Sequence, residues 1–303
     1  MSLLRLIPTL VVLGACERGA QTPRPGPFDG VQALEYVKQQ LAFGPRVPGT
    51  EAHRRGGDWI TSMMRSRADT VIEQRWDHRT AAGDSLPMRN ILARYRPELG
   101  ERILYVAHWD SRPRSENATD PAQRSMPVPG ANDGASGVAL LIALGDLLKK
   151  TPPSVGVDFL FTDGEDYGEF GPPEVDVLIG AKYFGDHPPD AGYRPLFGVL
   201  WDMIGDRDLS IAKEGHSVDK AGDVVERVWR VASELGYGQY FTPSNWGNIN
   251  DDHVPLLAKG MPVIDVIDIG YSWHHTPDDT IDKVSSVSLK IVGDVAWALL
   301  EGK

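Results

Sequence analysis

The 303-residue sequence predicts a three-layer α/β/α sandwich with a mixed, mostly parallel central sheet. Three observations carry this. Four apolar runs (Ile103–Ala107, Val155–Phe161, Leu196–Met203 and Pro262–Ile269) read as strands buried on both faces. Segments of helical period lie around them, at 133–149, 219–235 and 284–301. Ahead of them, 70–78 and 88–96 read as strands joined by the polar loop Thr80–Leu86, a hairpin that makes the sheet mixed.

Two further helices precede the hairpin. Val31, Leu34, Val37 and Leu41 repeat at helical spacing over 30–43, with Asp29 as the N-cap and Gly44-Pro45 as the stop. Trp59, Ile60, Met63 and Met64 form the apolar face of a second helix over 50–67. Two long loops follow buried strands, where function concentrates: 111–131, with four prolines, and 164–177, rich in glycine and acid. No internal repeat interrupts the pattern, so residues 29–303 read as one catalytic domain.

Charge and cysteine usage narrow the function. There are 31 basic and 42 acidic residues, a net charge of −11, which speaks against a nucleic-acid partner. The one cysteine excludes an intramolecular disulfide framework and any zinc site built on several thiolates. It is Cys16, preceded by Arg5, a short apolar run and Leu13-Gly14-Ala15. Residues 1–15 therefore read as an export signal. The Leu-Gly-Ala-Cys string resembles the cleavage box of bacterial lipoproteins, with Cys16 as a lipid anchor in the membrane and 16–28 as a lipidated tether rich in proline and glycine. The protein would then be exported, as a periplasmic or outer-surface lipoprotein. A simple secretory signal with an incidental cysteine is the alternative.

In open α/β sheets the ligand site lies beyond the carboxyl ends of the strands. His108-Trp109-Asp110 follows the first buried strand, and Asp133 opens the next helix. Glu165-Asp166 follows the second strand, Asp202 ends the third, and His274-His275-Thr276 follows the fourth. Singly each has an ordinary explanation, such as a helix-start charge or a solvated turn. Together they form a nitrogen and oxygen donor set suited to catalytic zinc, and a cation is what lets crowded carboxylates stay ionised. Asp202 is the hardest to dismiss, because it lies in the apolar string Val199–Ile204.

The order His108-x-Asp110, Asp133, Glu165-Asp166, Asp202, His275-Thr276 resembles the zinc aminopeptidases with two co-catalytic metals. It is closer to their relatives, the glutaminyl-peptide cyclotransferases. The likeness extends to Phe43-Gly-Pro-Arg46, Val128-Pro-Gly-Ala131, Asp163-Gly164 and Asp251-Asp252-His253. It implies the zinc-exopeptidase fold and an enzyme acting on peptide or protein N-termini. Asp133, Asp166 and His275 match ligands of the zinc that both branches keep. His108 and Asp202 match ligands of the aminopeptidases' second zinc, with Asp133 bridging. Glu165 matches the general acid/base, and Asp110 the acid that orients the metal-binding histidine. Asp202 and Asp251 match acids that share a network with the catalytic glutamate in cyclases.

The resemblance implies cyclisation of N-terminal glutamine with one zinc, or hydrolysis of the first peptide bond with two. A non-catalytic peptide- or metal-binding lipoprotein is the remaining class. Three departures stand out: Asp166 replaces the usual glutamate, His274 stands where animal cyclases carry tryptophan, and a second pocket tryptophan is missing, with Tyr167 or Phe170 in its stead. Trp201, Trp229 and Trp297 read as core, whereas Trp109, Trp246 and Trp273 read as candidate pocket residues.

Overall fold

The computed structural model describes residues 26–302; the expected export signal, Cys16 and most of the expected tether lie outside them. α1 (Gly30–Leu41) starts at Asp29, whose side chain accepts a hydrogen bond from the Gln32 amide. α2 (Glu51–Arg65) is capped in the same way by Thr50. β1 (Thr70–Arg79) and β2 (Ser85–Tyr95) form the antiparallel hairpin. β3 (Arg102–His108), α3 (Ala135–Leu148), β4 (Gly156–Thr162) and α4 (Ile179–Asp186) follow. Then come β5 (Phe197–Asp202), β6 (Ile211–Glu214), α5 (Gly215–Glu234) and β7 (Phe241–Gly247). α6 (His253–Ala258), β8 (Val263–Ile267) and α7 (Ser286–Leu300) complete the chain.

The six-stranded sheet runs β1-β2-β4-β3-β5-β8. β3 pairs in parallel with β4 on one side and β5 on the other, and β5 in parallel with β8. β2 meets β4 antiparallel, which joins the hairpin to the parallel body. The side-chain period of two sorts each strand between two cores. Ile103, Tyr105 and Ala107 join the larger core, to which α1, α3, α5 and α7 contribute. Leu104 and Val106 join the smaller one, with Phe184 of α4 and Leu256 of α6. Helices therefore cover both faces.

The chain passes from β3 to β4 on one side, then crosses to β5 on the other. That reversal opens the crevice at the carboxyl ends of the central strands. α4, α6 and the small β6–β7 sheet carry no clear periodic signal in the sequence. They are short, and β7 is exposed along most of its length.

Candidate metal centre and active site

Each parallel strand delivers its acid or imidazole to one edge. His108 is the last residue of β3 and Asp202 the last of β5. Asp133 sits two residues before α3, its amide and that of Asn132 donating to the Asp279 carboxylate at 3.2 and 2.9 Å. Glu165 and Asp166 follow β4 on a turn whose two amides donate to Asp110, each at 3.2 Å. His275 follows β8 with a left-handed backbone (φ 54°), an unfavourable conformation for a non-glycine residue. All eight predicted site residues are buried along this edge.

Two donor groups share Asp133: His108, Asp133 and Asp202 form one, and Asp133, His274 and His275 the other. In the first, His108 Nε2 lies 3.0 Å from Asp133 Oδ1 and 3.3 Å from Asp202 Oδ1, while Nδ1 lies 3.5 Å from Asp110. In the second, His275 Nε2 lies 3.2 Å from Asp166 Oδ1 and 3.7 Å from Asp133 Oδ2. Asp133 Oδ2 and Asp166 Oδ2 are buried there without a hydrogen-bond partner. Buried carboxylate oxygens cost free energy unless paired or coordinated, so imidazole and carboxylate donors facing them fit zinc.

A cavity of about 380 Å³ opens onto this edge. Glu165, Asp202, Asp251 and His275 line it, and Phe170, Met203, Ile249, Ile267 and Ile269 give it apolar surface. Burial, reinforced by Asp251, pushes the Glu165 carboxyl well above the usual range. Burial and Asp202 raise Asp251 to about 7. Burial raises Asp202 too, although His108 offsets part of it. Burial also opposes charge on His275, but Asp166, Glu116 and Asp133 outweigh it and lift the imidazole to about 10. His274 goes the other way, down to about 4, through burial and the neighbouring His275.

Two residues absent from the predicted site belong to its frame. Arg112 Nη1 donates to Asp166 Oδ1 at 2.7 Å, and Arg112 also pairs with Glu116. Glu116 Oε1 lies 3.0 Å from His275 Nδ1. Their one sequence signal was membership of the long loop 111–131. Asp110 binds the Glu165-Asp166 turn as well as facing His108, so its task is wider than orienting one imidazole.

One tryptophan expectation needs correction. Trp109 is fully buried, its ring stacked on His53 at 4.2 Å, because the alternation at the end of β3 turns it into the larger core. Trp246 and Trp273 line a neighbouring cavity instead of this one. Phe170 supplies the aromatic wall, whereas Tyr167 packs against Leu86, Met88 and Ile179. Trp201, Trp229 and Trp297 are core, as expected.

The family model for peptidase family M28 matches residues 90–300. Among solved structures, the glutaminyl cyclase of Bacteroides thetaiotaomicron bound to N-acetylhistamine superposes with a TM-score of 0.88 at 33% identity, covering 92% of this chain and 100% of that one. A leucine aminopeptidase precursor from the same organism gives 0.89 at 34%, covering 93% and 100%. The glutaminyl-peptide cyclotransferase of Drosophila melanogaster is 26% identical over 278 residues, 82% of this chain and 75% of that protein. Matched from β2 to α7 across the whole donor edge, the chain is a zinc-dependent enzyme acting on peptides and belongs to peptidase family M28.

Proposed function

We propose that the protein is a glutaminyl-peptide cyclotransferase, closing N-terminal glutamine to pyroglutamate with release of ammonia. The observation that carries this is the asymmetry of the two donor groups. Around His108, Nε2 reaches both Asp133 Oδ1 and Asp202 Oδ1 within 3.3 Å, and the buried atom left without a hydrogen bond is a nitrogen, Nδ1, 3.5 Å from Asp110. Around His275, Asp133 Oδ2 and Asp166 Oδ2 stay unpartnered. One zinc, held by Asp133, Asp166 and His275, answers that demand, and His108 with Asp202 serves the acid network.

Bound zinc supplies a Lewis acid at the cavity wall. Glu165 accepts a proton from the substrate's α-amine as it attacks the side-chain amide carbon, then returns that proton to the departing ammonia. Burial and Asp251 raise its pKa above the ordinary carboxylate range, the direction that makes it a better proton acceptor. The nucleophile is tethered to the electrophile, so the apolar wall of Phe170, Ile249 and Ile269 has mainly to hold the reactive conformer and exclude water.

A second reading has its own support. Asp133 is shared by both donor groups, as a dinuclear aminopeptidase would require. Zinc counting, ammonia release from Gln-peptides and hydrolysis of a leucine anilide separate the two. One zinc per chain with ammonia release is the expected result. Two zincs with anilide cleavage and no ammonia would overturn it.

We also propose that Cys16 anchors the enzyme to a bacterial membrane outside the cytoplasm, on the strength of the Leu-Gly-Ala-Cys string. Labelled fatty acid should enter the wild-type chain and not Cys16→Ser. Equal labelling of both would sink the assignment.

A further inference from the structure

We infer that His274 is itself a donor to the metal held by Asp133 and His275, an assignment that rests on the zinc reading above. His274 Nε2 lies 4.0 Å from Asp133 Oδ2, the same unpartnered oxygen that His275 Nε2 approaches at 3.7 Å. The two imidazole rings are 3.8 Å apart, centre to centre. Donors about 2.1 Å from one zinc stand roughly 3.4 Å from one another in a tetrahedron, so small side-chain shifts bring both imidazoles onto one ion.

The other candidate acid is partly engaged. Asp166 Oδ1 takes a 2.7 Å hydrogen bond from Arg112, which leaves Oδ2 alone for metal. An aspartate held by a guanidinium is a weakened donor, and a second imidazole makes up the deficit. His274 has the freedom to do so. Its side chain is 27% exposed, against 10% for His275, and it lines the cavity. His275, by contrast, is fixed from behind by Glu116.

The test measures zinc affinity by competition with a chromophoric chelator, for wild type, His274→Ala, His274→Asn and His275→Ala, with X-ray absorption of wild type loaded with one equivalent. Two imidazoles per zinc, and affinity reduced at least tenfold in both His274 variants, are expected. One imidazole, with affinity lost only in His275→Ala, overturns the role of His274 and leaves the zinc reading standing. Unchanged affinity in all three variants overturns both.

Discussion

Glu116 Oε1 lies 3.0 Å from His275 Nδ1, which holds the ring from behind with Nε2 toward Asp133 and Asp166. A carboxylate behind a ligating imidazole sets its orientation and raises its basicity. Glu116→Gln should therefore lower zinc affinity by about 10–100-fold while the metal-free fold melts as wild type does. Chelator competition measures it; an unchanged affinity would make the pair ornamental.

Glu165 lines the cavity, belongs to neither donor group, and is the proton carrier of the proposed reaction. Glu165→Gln should keep its zinc and lose about 10²–10⁴-fold in turnover. Metal analysis alongside an ammonia assay decides it. Turnover close to wild type would eliminate cyclisation and hydrolysis by this residue alike.

Glu214 ties the cavity wall to the scaffold. It accepts from the amides of His216 and Ser217 at the start of α5, from the Ile249 amide at 3.0 Å, and pairs with His253 Nε2 at 3.0 Å. Burial opposes its ionisation, but His253 and the amide donors outweigh that and hold its pKa down to about 2. A depressed carboxyl stabilises the fold fully above its unfolded value near 4.5, and that stability drains away as pH falls toward 2. Wild type should lose melting temperature over that window more steeply than Glu214→Gln. Parallel curves would refute the linkage.

Asp158 of β4 holds together a buried ion cluster remote from the cavity. It takes 2.6 Å bonds from Arg102 Nε and Nη2, a 3.2 Å bond from Arg94 and a 2.8 Å bond from the Tyr193 hydroxyl. Asp158→Ala leaves Arg102 buried beside no countercharge and should cost about 3–5 kcal/mol. Denaturant midpoints at constant slope measure this. A loss below about 1 kcal/mol would mean that water replaces the carboxylate.

The donor edge was legible because its residues terminate recognisable strands. His108 and Asp202 end continuous apolar runs, so their place beyond the sheet follows from strand geometry alone. Arg112 and Glu116 were hidden, since a 21-residue loop carries no period that says where its side chains return. Trp109 reads as a pocket residue from its place beside a site loop, whereas the alternation of Ile103, Tyr105 and Ala107 continues past the strand end and carries it into the larger core. β7 was invisible for a related reason: exposed on most positions, it has no buried face to write an alternation.

Apolar runs, helical spacing and the identity of the acids and imidazoles by themselves determine the layered fold and the donor types. Burial period and ligand preference are local properties of the chain. Tertiary structure alone decided which oxygens were left without partners. Asp133 Oδ2 and Asp166 Oδ2 are orphaned by the packing of loops more than 30 residues apart in sequence, while Asp133 Oδ1 is satisfied by His108. The distinction between carboxylate oxygens that meet His108 and those left facing a cation site rests on distances of a few ångströms, which no spacing along the chain encodes.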